Sequence, residues 1–388
     1  MKEIKSIDRT YVANTYARFD VALTSGSGSV AYDENGTKYI DMGAGIAVNL
    51  FGYSDPVWQQ AVIQQLQSLQ HTSNLYYTEP CALLAKELCE RTGMKKVFYC
   101  NSGAEANECA IKAARKYGSK KGADCYKIIT MTDSFHGRTL TTLAATGQDH
   151  FHELFQPLTP GFLYAKDMDD IQKYVATEKV AGILIECVQG EGGVNVFSEE
   201  FVKGVYELCQ KEDIILLVDE VQTGNGRCGE LYAFMHYGIM PDVVTTAKGL
   251  GGGLPIGCTM LGEKVKDIFA PGDNGSTFGG NPVVCAGALS NLKRLDDALL
   301  AEVRRKGQKI KDAFTGAEGV SSVSGLGLMI GIEPSSKKAS DVAAECLKNH
   351  VLVLTAGHNR VRLLPALNIE DDLLDQAIDV IKEALKEG

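Results

Sequence analysis

Between residues 96 and 261 the chain repeats one alternation. Short apolar runs occur at "KVFYC", "KIITM", "AGILIEC", "IILLVDE", "VVTTA" and "CTML". Between several of them, apolar residues recur every three or four positions, as in "SGAEANECAIKAARKYG" and "SEEFVKGVYELCQKED". The short runs predict strands and the periodic stretches predict amphipathic helices. Strands alternating with helices predict a mainly parallel sheet covered on both faces. Ligands bind such sheets beyond the carboxyl ends of the strands. The polar residues that directly follow each apolar run are therefore the candidates for chemistry.

The flanking regions follow a different pattern. Near the start, "GSVAYDENGTKYIDMG" predicts a hairpin turning at Asn35-Gly36. A helical pattern, "VWQQAVIQQLQSL", follows Pro56. From Asn281 long helical patterns run to Phe314, short strands follow in "VSGLGLMIGIE" and "VLVLTAGHNRVRLLPAL", and a last helix closes the chain. The expected fold class is α/β: a large domain, residues 56–280, with a mainly parallel sheet between helices. A smaller α+β domain is expected from both ends of the chain, residues 1–55 and 281–388, since neither end alone has enough apolar residues for a core.

Composition narrows the function classes. A chain of 388 residues fits about two domains. Its formal net charge of -10 repels phosphates and argues against nonspecific nucleic-acid binding. The eleven cysteines are odd in number, form no Cys-x-x-Cys pair and mostly sit singly in apolar runs. Buried free thiols in a reducing compartment explain this better than disulfides or zinc. The first twenty residues lack the apolar run of a secretory signal, and no run approaches the ~20 residues that cross a bilayer. A cytoplasmic location away from membranes is expected.

Four strand ends carry candidate chemistry. Asp219 and Glu220 end "IILLVDE"; either could cap a helix, join an ion pair, bind a metal or hold a protonated ring nitrogen. Lys248 ends "VVTTAK" and precedes the glycines of "GLGGGLPIG". Desolvated at a strand end, its amine would lose its proton more easily and could attack an aldehyde to form a Schiff base. Ser102, Gly103 and Ala104 open a helix after "KVFYC", where a hydroxyl and backbone N–H groups could seat a phosphate. The same residues also read as a plain N-cap with Glu105 in a capping box. In "DSFHGRT", Phe135 could lie on an aromatic ring and Arg138 could grip a carboxylate in a two-point fork. His136 reads more simply as a packed or hydrogen-bonded residue. "TGNGRCG" matches G-x-G-x-x-G, but five residues separate it from its strand and no helix pattern follows, so it reads as a turn loop and not a dinucleotide site.

Lysine amine, ring-nitrogen carboxylate, stacking aromatic and phosphate seat together describe a pyridoxal 5′-phosphate site. The segments "NSGAEANE", "FHGRT", "ECVQGEGG", "LLVDEVQTGNGRCG", "TTAKGLGGGLPIG" and "GSTFGGNP", in this order, resemble the class-III, or ω-, aminotransferases of fold type I. The resemblance implies roles. Lys248 would carry the cofactor and shuttle a proton, Asp219 would pair with the pyridine nitrogen, and Gln222 would hydrogen-bond the phenolic oxygen. Phe135 would stack on the ring while Ser102, Gly103 and Ala104 hold the phosphate. Thr277 would arrive at the phosphate from a second subunit, so a homodimer with a shared site is implied. Asn274 stands where relatives often carry His, which puts the packing of that loop in question.

Within the class, "NTYARF", "HTSNLYY" and "GAGIAVNLFGYSDP" are similar to the branch that handles N2-acetylornithine. The implied reaction transfers its δ-amino group to 2-oxoglutarate, giving N-acetylglutamate 5-semialdehyde and glutamate, a step of arginine biosynthesis. Arg138 would bind the α-carboxylate of the acyl-ornithine and later the side-chain carboxylate of glutamate. Arg362 would bind the α-carboxylate of glutamate, and Glu191 would neutralise Arg362 when an ω-amine is present. Tyr16 would touch substrate, or else is an aromatic packed at a domain edge. Ornithine, succinylornithine, acetyl-lysine and 4-aminobutyrate are alternative donors; an aminomutase and a non-catalytic cofactor-binding protein are alternatives of another kind.

Overall fold

The computed structural model describes residues 2–386. At its centre lies a seven-stranded sheet in the order Lys96–Cys100, Gly257–Leu261, Val243–Thr246, Ile215–Asp219, Val180–Ile185, Lys127–Met131, Phe162–Ala165. Gly257–Leu261 runs antiparallel to both neighbours. The other pairings are parallel. Every residue of Val180–Ile185, Ile215–Asp219 and Val243–Thr246 is buried, which explains their unbroken apolar runs: both faces are covered by helices. The six parallel strands therefore end along one edge of the sheet. Asn101, Asp133, Glu186, Glu220 and Ala247 follow closely on five of these ends.

Caps written into the sequence set the helix starts. Ser102 accepts the Glu105 N–H at 3.2 Å and opens Gly103–Gly118. Asp55 accepts the Trp58 N–H at 2.8 Å and, with Pro56, opens Pro56–Ser68. Asn281 does the same for Pro282–Leu292. The long pattern after Asn281 is two helices, Pro282–Leu292 and Asp297–Phe314, divided where Asp296 caps the second.

The two chain ends meet in a four-stranded sheet. The expected hairpin forms as Val30–Asp33 and Lys38–Asp41, and Val351–Leu352 adds in parallel to Lys38–Asp41. A second four-stranded sheet, Val320–Leu326, Met329–Pro334, Arg360–Leu363 and Leu354–Ala356, brings Arg362 beside the large sheet. Phe162–Ala165 adds a strand that the apolar pattern did not announce, because four residues with one tyrosine carry little periodic signal. All eleven cysteines are free and nine are buried. Among the described residues no helix is long and apolar enough to cross a membrane.

Candidate active site

A cavity of about 480 Å³ opens at the carboxyl edge of the large sheet. Ser102, Gly103, Ala104, Phe135, Arg138, Glu191, Asp219, Gln222 and Lys248 all line it. Nine of the twelve residues singled out in the sequence thus converge on one space.

Lys248 does not end its strand, as the apolar run suggested. The strand stops at Thr246, and Lys248 begins a short 3-10 turn with φ +45. A left-handed lysine is strained, and such strain persists only where the surroundings impose it. Its amine has no hydrogen-bond partner among the described residues. Burial holds this amine below the ordinary lysine range; Glu191, Asp219 and Glu186 offset part of the effect while Arg362 adds to it.

Asp219 ends Ile215–Asp219 and is nearly buried. Its Oδ1 accepts the Val221 N–H at 3.0 Å. Its Oδ2 lies 2.7 Å from Asn107 Nδ2, which donates to it, and 2.8 Å from His136 Nδ1. His136 is buried, and its Nε2 has no partner. The histidine that reads as hydrogen-bonded in the sequence is so, but its partner is the central carboxylate of the site.

The phosphate-seat candidate is also a true cap. Ser102 Oγ accepts the Glu105 N–H and lies 3.1 Å from Glu105 Oε2. The N–H groups of Gly103 and Ala104 have no acceptor among the described residues. A Cβ at residue 103 would stand 2.6 Å from Val221 Cγ1, so only glycine lets the helix start this close to the strand end. Phe135 faces the cavity, and its N–H donates to Glu186 Oε2 at 3.1 Å. Glu186 ends the run "ILIE" as Asp219 ends "LLVD", and it also lines the cavity. Burial pushes its carboxyl well above the ordinary range; Asp219 adds to this, and the Phe135 and Gly190 N–H groups and Lys248 oppose it.

On the opposite wall Arg362, 3% exposed, donates from Nη1 to Glu191 Oε1 at 2.6 Å and from Nη2 to Glu191 Oε2 at 3.2 Å. Gln222 bridges the pair, accepting from Arg362 Nη1 at 3.0 Å and donating to Glu191 Oε1 at 3.2 Å. Burial alone would raise Glu191, but the Arg362 charge and its hydrogen bonds, with Lys248 and Gln222, hold it below the ordinary glutamate range. Arg138 is different. It is exposed, pairs with no carboxylate among the described residues, and lies over Phe135 and Phe151 with centroid distances of 5.3 and 4.1 Å.

Two candidates do not reach this cavity within the chain. Tyr16 is 70% exposed and lines a separate hollow in the N-terminal segment. Thr277 is exposed and lines another cavity with His71–Thr72 and Tyr76–Tyr77. The loop bearing Thr277 is anchored: Asn74 Nδ2 donates to the carbonyls of Ser276 and Gly279, and Asn101 Nδ2 donates to Ser276 Oγ. Asn274 packs without conflict, accepting from Lys112 Nζ at 2.9 Å. "TGNGRCG" is a turn whose Arg227 is fully buried and donates to the carbonyls of Leu328 and Pro365. Asn107 and Glu186 were not singled out in the sequence. Asn107 stands one helical turn after Gly103, so the i, i+4 spacing puts both on the face toward the strand ends.

The chain matches the family "Aminotransferase class-III" over residues 11–385. It belongs to the class-III aminotransferases. It is 50% identical, over 99% of both chains, to the acetylornithine aminotransferase of Haemophilus ducreyi. The crystal structure of ornithine aminotransferase from Toxoplasma gondii ME49 superposes with a TM-score of 0.95 at 31% identity, covering 99% of this chain and 94% of that one. N-acetylornithine aminotransferase from Stenotrophomonas maltophilia K279a gives a TM-score of 0.83 at 36% identity, covering 98% and 97%.

The residues of this class-III aminotransferase fit pyridoxal phosphate. Two helix-start N–H groups without acceptors suit its phosphate, a carboxylate held by three donors suits its protonated ring nitrogen, and an unpaired amine of lowered basicity suits its aldehyde.

Proposed function

We propose that this enzyme transfers the δ-amino group of N2-acetylornithine to 2-oxoglutarate, as an acetylornithine aminotransferase acting in arginine biosynthesis. The observation that carries the reading is that Glu191, which lines the same cavity as the unpaired Lys248, is ion-paired to the buried Arg362 behind it. The enzyme must take an ω-amine in one half-reaction and an α-amino acid in the other. An arginine for the α-carboxylate of glutamate would lie buried and uncompensated when the ω-amine donor is bound; a swinging glutamate neutralises it.

When bound, pyridoxal phosphate supplies an aldehyde to carry the amine and a ring to take up the electron pair left by the broken C–H bond. The chain's own groups do the rest. Gly103 and Ala104 N–H groups, with Ser102, bind the phosphate; Phe135 flanks the ring; Asp219 holds the proton on the ring nitrogen. Gln222 reaches the phenolic oxygen. Lys248 Nζ, its basicity lowered by burial, would take the proton from the donor carbon that bears the amine and give it to the carbon of the former aldehyde. Arg138, open to solvent and unpaired, grips the distal carboxylate of each substrate in turn.

The site is completed, in this reading, by a second copy of the chain. Thr277 is exposed, and Leu75, Tyr76, Tyr77 and Phe278 are exposed beside the same cavity, an apolar surface suited to a homodimer interface that delivers Thr277 to the partner's phosphate. Sedimentation should give a dimer. The pairing of Val351–Leu352 with Lys38–Asp41 supports a small domain from residues 1–55 and 281–388 around the large domain 56–280. Eleven free thiols support the cytoplasm.

A donor panel tests the reading. N2-acetylornithine, succinylornithine, ornithine, acetyl-lysine and 4-aminobutyrate are each supplied with 2-oxoglutarate. Acetylornithine should give the highest kcat/KM, with parallel-line ping-pong kinetics. The fold likeness to an ornithine aminotransferase makes ornithine the second candidate; preference for it would replace the first.

A further inference from the structure

Asn107 has no part in the reading above, yet it is tied to the centre of the site more tightly than any other side chain. It is 1% exposed and lies inside the helix Gly103–Gly118, where asparagine is a poor helix former. Its Nδ2 donates to Asp219 Oδ2 at 2.7 Å and to the His136 carbonyl at 2.8 Å; its Oδ1 accepts from Thr245 Oγ1 at 2.7 Å. The amide can face only one way, because the His136 carbonyl is an acceptor and nothing else. One side chain thus joins four elements: the helix whose first N–H groups are free, the strand that presents Asp219, the strand Val243–Thr246, and the loop that carries Phe135.

We propose that Asn107 is a positioning residue for amine transfer: it locks the Asp219 carboxylate at a set place relative to the free N–H groups that open its own helix, and it pins the Phe135–His136 loop against that carboxylate. The proposal rests on the reading that Asp219 faces the cofactor's ring nitrogen and the helix start holds its phosphate. The helix then makes one contact with its first N–H groups and fixes the other, on the strand Ile215–Asp219, through Asn107, and the cofactor's covalent frame demands a constant spacing between them. Without Asn107, Asp219 keeps the Val221 N–H on Oδ1 and His136 on Oδ2, so two contacts instead of three hold the carboxylate and its tie to the helix is lost.

The test uses the enzyme reconstituted with pyridoxal phosphate. The variants are Asn107→Asp, Asn107→Leu, Thr245→Val and, as reference, Asp219→Asn. The charged or titratable groups around Asp219 are His136 from the loop after Lys127–Met131, Glu186 at the end of Val180–Ile185, Glu220 beside it, and Lys248 after Val243–Thr246. Asn107→Asp sets a second carboxyl against Asp219, and two carboxyls at this distance share one proton. While that proton stays, the introduced carboxyl donates to Asp219 as the amide did. As pH rises and it leaves, the two charges repel.

Asn107→Asp should therefore show kcat falling as pH rises, with the visible spectrum of the bound cofactor changing over the same interval, while the wild type shows neither change there. Asn107→Leu should lower kcat about tenfold or more, the usual scale for losing a supporting contact, with the donor KM nearly unchanged. Thr245→Val should shift kcat the same way by less. If Asn107→Asp and Thr245→Val keep the wild-type pH profile and spectrum and lose only thermal stability, Asn107 is structural and the proposal fails; these two decide the matter should Asn107→Leu not fold. The underlying reading fails separately, and takes the proposal with it, if borohydride leaves no label on wild-type Lys248 or if Asp219→Asn alters neither spectrum nor kcat.

Discussion

The floor of the cavity and its mouth are built by opposite rules. On the floor, Asp219, Asn107, His136 and Thr245 are all buried, and they bond to one another at 2.7 to 2.8 Å. At the mouth, Arg138 is exposed and rests on aromatic rings; away from this cavity, Tyr16 and Thr277 are exposed and line other hollows. Arg362 and Glu191 stand between: the arginine is buried, the glutamate 29% exposed. Buried polar groups must be satisfied within the fold, so the floor is preorganised. The mouth groups are solvated and need partners only when substrate or a second subunit arrives. In the proposed reaction the floor would serve the step common to all donors, while the mouth and wall would serve the choice of donor.

The largest effect should come from the floor. Lys248→Ala should cost about 10 000-fold in turnover with every donor tested, since proton transfer and cofactor attachment are lost together. Normal steady-state turnover in that variant would remove this lysine from the mechanism and erase the distinction.

Next come the two arginines. Arg362→Ala should raise the KM for 2-oxoglutarate by about 10- to 100-fold. It should also lower the melting temperature, because Glu191 loses its cation inside the wall. Arg138→Ala should raise KM for both acylated donor and oxo-acid by about tenfold and leave the melting temperature unchanged, as expected for an exposed group. Equal loss of stability in both would break the contrast.

A smaller effect is expected for Glu191→Gln. It keeps the shape of the wall and removes the charge, so glutamate should gain about tenfold in kcat/KM relative to acetylornithine in the first half-reaction. The same variant tests the pH dependence. Glu191 is held below its ordinary value of 4.5, so its contribution to stability is present above that pH and disappears as pH falls through the lower folded value. Urea unfolding at acid pH should show a steeper loss for the wild type than for the variant.

The smallest effect lies behind the floor. Glu220 is fully buried, its Oε1 accepting the Phe234 N–H at 2.7 Å and its Oε2 bonded to Thr223. Burial pushes its carboxyl up to about 7, against the lowering effect of Thr223 and the Ala233 and Phe234 N–H groups. Its folded value is raised, so its stabilising share is complete below the unfolded value of about 4.3 and is lost as pH rises through about 7. Glu220→Gln, which accepts from Phe234 and donates to Thr223 without a proton to lose, should flatten the stability profile across that interval while leaving kcat near wild type.

Much of this was readable along the chain because it is local. Strand runs, the cap at Ser102, and the residues just after each run are set by neighbours a few positions away. The rest was not. The strand Phe162–Ala165 is too short to show a period, and the break near Asp296 hides in a continuous apolar pattern. Glu186 has the same sequence signal as Asp219, an acid closing an apolar run, but nothing in either run says that both acids face one cavity. Arg138 and Arg362 look alike in sequence; only packing buries one and solvates the other.

Most of the order of elements, the single sheet edge where the candidate residues gather, and the candidate amine follow from the amino-acid sequence alone, because periodicity and strand ends are short-range properties. The bond between Asn107 and Asp219 spans 112 positions, and the one between Glu191 and Arg362 spans 171. Such pairs exist only once the sheet has stacked its strands and the far end of the chain has folded back against it, and it is there that charge, burial and spacing acquire the values on which catalysis depends.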